Sequence, residues 1–522
     1  MRDRTIPALV ADAAERFGDQ EAVVDGGLRL SFGDLAEVAT ASTRAAMAAG
    51  LEPGDRAAIW APNIHEWVLA ALGILGAGGV LVPLNTRFKG AEAADILARS
   101  RARLLFCVNG FLGSDYPGLL RASSVDLPAL ERTVVLRGES AEGTESWADH
   151  LGRGGDVPPE RARQRSAAVT SGDLSDIIFT SGTTGRPKGA MSTHSQTLRV
   201  FETWAGIVGL RAGDRYLVIN PFFHTFGYKA GWVACLLKGA TVIPQAVFDV
   251  PEAMSRIAHE RVSVLPGPPT LFQAILDHPG RAGCDLSSLR LAVTGAAVVP
   301  VELIRRLRAE LAFETVITAY GLTEATGTVT MCRAEDDPET IAATSGRAIP
   351  DTEVGVVDDG GRQLPAGQPG EVVTRGYHVM QGYLDDPAAT AEAIDGEGWL
   401  HTGDIGVLDD RGYLRITDRK KDLFIVGGFN AYPAEIEGVL GRHPSVSQVA
   451  VIGVPDRRLG EVGMAFVVSR PGTTLDPEEL IAWARAQMAN FKVPRRVEIV
   501  DALPLNASGK VLKTELRARA AP

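Results

Sequence analysis

The sequence predicts an α/β protein with a large layered N-terminal part and a small α+β C-terminal part. Three observations predict it. Strand-like and helix-like runs alternate along most of the chain, which is the pattern of helices packed on largely parallel sheets. The pattern changes near Thr352 to short β runs between Gly- and Asp-rich turns. It changes again near Asp422 to a mixed α+β unit. At 522 residues the chain exceeds what one hydrophobic core organises.

Taken in order, residues 56–63 (RAAIWAPN) read as a strand and turn, and HEWVLAALGILGAGG as a helix. VLVPLN (80–85) is a strand, GAEAADILARSRA a helix and LLFCV a strand. Trp67 to Leu84 is the one run that imitates a membrane span. Its glycines and Pro83 favour a buried helix entering a buried strand. The polar stretch 137–173 reads as loops and short helices within a domain. Strands resume with 176–180, 215–220, 241–245, 262–267, 289–295 and 316–321. The predicted organisation is an N-terminal domain over 1–418, with a β-rich subdomain over 352–418, and a mobile domain over 422–522. The junction 418–422 is the expected hinge.

Composition narrows the function. Net charge is −11, from 53 Lys and Arg against 64 Asp and Glu, which argues against broad nucleic-acid binding. Cys107, Cys235, Cys284 and Cys332 are far apart and unpaired in pattern, so neither a disulfide framework nor a zinc site is expected. The charged N-terminus lacks the apolar core of a signal peptide. A cytoplasmic enzyme without an integral membrane segment is the expectation.

The strongest local signal is Thr180-Ser181-Gly182-Thr183-Thr184-Gly185-Arg186-Pro187-Lys188-Gly189. A triphosphate needs close backbone N–H groups, hydroxyl donors and a cation. Glycines permit close backbone approach, Ser and Thr add donors, and Lys188 can neutralise phosphate charge. The order is not that of a Walker A loop. By composition alone this is equally a Ser/Gly surface loop.

The order of this segment resembles the phosphate loop of the adenylate-forming superfamily, which includes acyl-CoA synthetases, peptide-synthetase adenylation domains and firefly luciferases. Four further segments resemble that family's motifs in the same order: Tyr320-Gly321-Leu322-Thr323-Glu324, Trp399 to Asp404, Asp418 to Asp422 with Gly427 to Glu435, and Pro504 to Lys510. Alone, each reads as a turn or a solvated charge. Together they imply ATP, Mg²⁺ and coenzyme A as cofactors and a small-molecule carboxylic acid as substrate. The resemblance implies that Thr323 contacts the α-phosphate and that Glu324, with Thr184, supports Mg²⁺. It implies that Asp404 accepts the ribose hydroxyls, that Arg419 binds nucleotide, and that Lys421 is the hinge residue. Lys510 is implied as the catalytic lysine, and Gly427 and Gly428 as neighbours of the pantetheine arm. A lysine bridging carboxylate and α-phosphate is worth most as charge accumulates at phosphorus.

The acyl pocket is expected around Asn220 to Lys229, Pro266 to Pro269 and Thr294 to Ala297. The resemblance sets His224 near the acyl carboxylate. It sets Gly295, Ala296 and Ala297 near adenine and substrate. Phe223, Phe226 and Gly321 complete the expected wall. Lys229 is less usual: facing inward it could reach a distal ketone or carboxylate, and facing outward it is surface charge. The run from Asn220 to Gln245 is similar to an actinobacterial branch that activates an indane-dione propionate left by steroid degradation. A medium-chain fatty acid, including a biosynthetic starter unit, is the alternative, and loading of a carrier protein the less favoured one. The resemblance also allows a homodimer and makes Lys510 a target for a lysine acetyltransferase.

Overall fold

The computed structural model describes residues 4–180, 187–295, 299–419, 422, 424–426, 429–456, 458–488, 490–506 and 510–520. Among these, two large sheets build the N-terminal part. The first has nine strands, with Thr315–Tyr320, Leu291–Gly295, Val264–Pro266, Arg215–Val218 and Thr241–Pro244 running parallel at its centre. The second has eight, centred on the parallel strands Val80–Pro83, Arg56–Trp60 and Leu104–Val108. These central strands are buried on both faces, so they read as continuous apolar runs, not alternating ones.

The expected helices are present at His65–Gly76 and Gly90–Ser100. The helix His65–Gly76 is buried along nearly its whole length between layers, which is why its sequence imitates a membrane span. No helix among the described residues is long and apolar enough to cross a membrane. The stretch 137–173 carries the short helices Trp147–Arg153 and Pro159–Ala167.

One departure from parallel layering matters for the site. Leu174–Thr180 and Lys188–Thr193 pair antiparallel, with Thr180 opposite Lys188. Both ends of the segment between them are therefore fixed to one ladder. Gly382–Tyr383 adds a further antiparallel strand beyond Lys188–Thr193.

Residues 352–419 form a four-stranded antiparallel sheet, Thr352–Val357, Gly370–Gly376, Leu400–Leu408 and Leu414–Arg419. The C-terminal part holds a separate five-stranded sheet whose longest strands are Val446–Asp456 and Gly460–Ser469. Helix Pro433–Leu440 contributes Ile436 and Leu440 to a core on one side, and Leu516 closes a second core on the other. The chain thus has a large N-terminal domain and a smaller C-terminal one.

Candidate active site

The strand Thr315–Tyr320 ends at Gly321 and passes into a single 3₁₀ turn, Thr323–Ala325. A Cβ on Gly321 would lie 2.1 Å from the Gly327 carbonyl oxygen, so only glycine allows the chain to fold back here. The turn buries Thr323 and presents the Glu324 carboxylate to the neighbouring sheet. There the Thr180 hydroxyl donates to Glu324 Oε1 at 3.1 Å and the Tyr383 hydroxyl to the same oxygen at 3.0 Å. The Met380 N–H holds the Glu324 carbonyl at 2.8 Å. Three segments far apart in sequence thus meet at one carboxylate.

Tyr383 has a second contact, with the Lys188 ammonium 5.1 Å from its ring centroid. Burial, and then the adjacent Glu324 charge, push the phenol's pKa up, so Tyr383 remains a donor. Lys188 also lines a recess of about 480 Å³ with Arg99, Arg101, Leu384 and Asp385. Nothing in the sequence reading singled out Tyr383.

On the other side of the turn, the Tyr320 hydroxyl donates to Asp404 Oδ2 at 2.6 Å. Asp404 is buried and stands opposite Arg419 in the ladder between Leu400–Leu408 and Leu414–Arg419. Gly295 ends the strand beside Thr315–Tyr320, in register with Ala319. Thr180, Lys188, Gly295, Tyr320, Gly321, Thr323, Glu324, Asp404 and the backbone of Arg419 therefore gather where two sheets and the antiparallel subdomain adjoin. Ser181, Gly182, Thr183, Thr184 and Gly185 lie outside the described residues. So do Ala296, Ala297, Lys421, Gly427 and Gly428.

The loop after Arg215–Val218, expected to line the acyl pocket, is clamped by Asn63, which the sequence places in a turn. Its Nδ2 donates to the carbonyls of Val218 and Asn220 at 2.9 Å each, and its Oδ1 accepts from the Phe222 N–H at 2.7 Å. A Cβ on Gly227 would lie 2.1 Å from the Asn220 carbonyl oxygen, so this loop too closes on a glycine. His224 begins the short helix Thr225–Gly227, and its Nδ1 accepts the Phe226 N–H at 3.3 Å. That bond leaves the proton of the neutral ring on Nε2. Loss of solvation lowers its pKa to about 4, so His224 is a neutral hydrogen-bond donor near pH 7 and a weak base. Phe223 and Phe226 flank it, both partly accessible.

Of its two expected orientations, Lys229 takes the inward one. The chain enters a π-helix, Tyr228–Val233, and the Lys229 ammonium reaches Asp176 Oδ1 at 2.9 Å with both side chains fully buried. It forms an internal ion pair and is not surface charge. All six residues of the π turn are buried, so a lysine at this position meets a partner inside the protein and not solvent.

Lys510 is exposed. Its N–H donates to Asn506 Oδ1 at 2.8 Å, and the Asn506 N–H donates to the Lys510 carbonyl at 2.7 Å. Arg87, on the connection after Val80–Pro83, donates to the Leu505 carbonyl at 3.4 Å. This contact brings the terminal motif to the N-terminal part.

The family model for AMP-binding enzymes matches residues 10–384, and that for the AMP-binding enzyme C-terminal domain matches 435–510. The chain is similar to a 3-[(3aS,4S,7aS)-7a-methyl-1,5-dioxo-octahydro-1H-inden-4-yl]propanoyl:CoA ligase of Rhodococcus jostii, 51% identical over 516 residues, covering 98% of each chain. A protein of the same name from Mycobacterium tuberculosis is 52% identical over 515 residues, again with 98% of each covered. Among solved structures, that of an anthranilate CoA ligase with bound anthranoyl-AMP matches with a TM-score of 0.89 at 27% identity, covering 100% of this chain and 98% of the other. Matched over both of its domains and along nearly its whole length, the chain belongs to the AMP-binding enzyme family, among its adenylate-forming acyl-CoA ligases.

Proposed function

We propose that this enzyme activates an indane-dione propionate, or a closely similar bicyclic propionate, as its acyl-AMP and transfers the acyl group to coenzyme A. The observation that carries the reading is the meeting of Thr180, Tyr383 and Glu324 on one side of the turn with Tyr320 and Asp404 on the other. The identity to two ligases named for that acid supports the choice of substrate. A medium-chain fatty acid is the second reading, favoured by the phenylalanines beside His224.

In the first half-reaction the acid's carboxylate attacks the α-phosphorus of ATP and pyrophosphate leaves. No protein nucleophile is needed, so placement and charge carry the catalysis. His224 Nε2–H orients the carboxylate. Thr323 holds an α-phosphate oxygen, Asp404 takes the ribose hydroxyls and Lys510 faces the charge that builds at phosphorus. The oxygen donors around Glu324 fit Mg²⁺, a hard cation, and the two hydroxyls that donate to Oε1 hold the carboxylate in place. Held by Glu324 with Thr184, Mg²⁺ would offset phosphate charge.

In the second half-reaction the thiol attacks the mixed anhydride and AMP leaves. Lys510 has no task in that step. Rotation of the C-terminal domain about residues 418–422, with Lys421 absorbing the dihedral change, would withdraw Lys510 and bring Gly427 and Gly428 to the pantetheine arm. Cytoplasmic placement, pairing of two copies and acetylation of Lys510 complete the proposal.

The test is a panel of acids scored by mass spectrometry of the acyl-CoA formed. It includes the indane-dione propionate, six- to twelve-carbon fatty acids and aryl acids. Product from fatty acids alone would discard the bicyclic substrate. Absence of acyl-CoA from every acid would discard the ligase reading.

A further inference from the structure

The buried pair Lys229–Asp176 has no task in the chemistry above. Its ammonium and carboxylate lie 2.9 Å apart with no exposed surface on either side chain. Such a pair is an expensive element of a core, because each ion gives up several kcal/mol of hydration that a matched apolar pair would not. It adds definition more readily than stability, since the ions accept few alternative arrangements. Its position is therefore informative.

Asp176 sits on Leu174–Thr180, four residues before the Thr180 hydroxyl that holds Glu324. Its other oxygen, Oδ2, accepts the Ser175 hydroxyl at 2.7 Å, and that hydroxyl lies 3.3 Å from Thr197 Oγ1 on the helix His194–Val208. Lys229 sits five residues after His224, in the π-helix that continues the acyl loop. Around it, Trp67, Tyr228 and Trp232 form a packed aromatic group with centroids 5.1 to 6.2 Å apart. The side chains thus fix two elements to each other: the strand that leads into the phosphate segment and the helix that carries the carboxylate-orienting histidine.

We propose that Lys229 and Asp176 are a positioning pair that couples the acyl loop to the phosphate-loop strand, so that binding on one side sets the geometry of the other. The proposal rests on the adenylation reading above. Neither side chain touches substrate. Their effect is on the distance between the carboxylate oxygen and the α-phosphorus, where a misplacement near 1 Å costs about a hundredfold in rate. Burial pulls the Lys229 pKa down, and the neighbouring Asp176 opposes that shift.

The experiment compares the wild type with the double variant Lys229→Met/Asp176→Asn, which removes both charges at similar volume. For the folded double variant, matched to the wild type by circular dichroism, kcat for pyrophosphate release is expected to fall at least tenfold. KM for acid and for ATP should each move less than threefold, and thioester formation from supplied acyl-AMP should hold. A merely structural pair would lower Tm and leave that split unmoved, so wild-type kcat in the folded double variant overturns the proposal. If the double variant does not fold, hydrogen exchange on the wild-type protein decides. AMP alone is expected to slow amide exchange in Tyr228–Val233 at least threefold, and unchanged exchange there overturns the coupling. This arm needs no acid. A wild type that forms no adenylate from any acid yet shows the protection would sink the ligase reading and leave the coupling standing.

Discussion

Removing one oxygen atom at Tyr383 separates placement of Glu324 from every other property of the site. In Tyr383→Phe the ring remains, with its contact to the Lys188 ammonium, and so does the strand pairing of Gly382–Tyr383. What goes is one of the two hydroxyl donors on Glu324 Oε1, the Thr180 hydroxyl staying at 3.1 Å. A hydrogen bond to a charged group is worth about 1.5–3 kcal/mol. Both partners are only partly buried, which favours the lower end. At 1.36 kcal/mol per factor of ten, adenylate formation should slow about tenfold. Thioester formation from supplied acyl-AMP no longer involves the leaving pyrophosphate and should keep its rate. The assay is pyrophosphate release beside thioester formation from acyl-AMP, in the same preparation. An unchanged first step, or equal loss in both steps, would refute the assignment of Tyr383 and Glu324 to the phosphate side.

Four further outcomes are expected. Lys510→Ala should abolish adenylate formation while largely sparing thioester formation from acyl-AMP; parallel loss of both would remove Lys510 from its role. Lys421→Pro should damage mainly the thioester step, and a wild-type rate there would move the hinge elsewhere. Gly227→Ala forces a Cβ to 2.1 Å from a carbonyl oxygen, an overpacking that costs about 1–3 kcal/mol and shifts the His224 loop; a lower Tm with reduced kcat/KM for the acid is expected, and wild-type values for both would show the loop to be tolerant. Burial holds His194 and His378 at a pKa of about 4, so between pH 6.5 and pH 4 the unfolded chain binds more protons and stability falls as pH falls. At pH 5 each histidine removes roughly 2 kcal/mol of the stability present at pH 7, and an unchanged calorimetric Tm between the two would contradict their burial as neutral rings.

Much of this architecture is legible in the sequence because apolar runs bounded by turn residues specify buried strands without knowledge of the partner strand. That held for Val80–Pro83, Leu104–Val108 and Leu291–Gly295. The meeting of Thr180 with Glu324, and of Tyr320 with Asp404, agrees with the grouping that motif order suggested. Tyr383 was invisible for a different reason. Its meaning lies in a carboxylate 59 residues away, and a tyrosine after glycine looks like any β-strand residue. Asn63 is similar: a turn asparagine has no outward sign that it will tie down a loop 157 residues later. The partner of Lys229 was not legible because Asp176 looks in sequence like any strand aspartate, and no local signal marks the π turn that is buried along its whole length.

The support beneath Lys510 has a mechanical consequence. Asn506 grips both the N–H and the carbonyl of Lys510, and the Leu512 N–H donates to the Pro504 carbonyl at 2.8 Å just beyond. These bonds tie the Lys510 backbone to the terminal body on which it is carried. In the proposed role, its arrival at phosphorus would be governed by how the whole terminal body docks, including the Arg87 contact to Leu505. Under that proposal, delivery of the charge would behave as a switch with two settings, and withdrawing the brace would withdraw the charge completely.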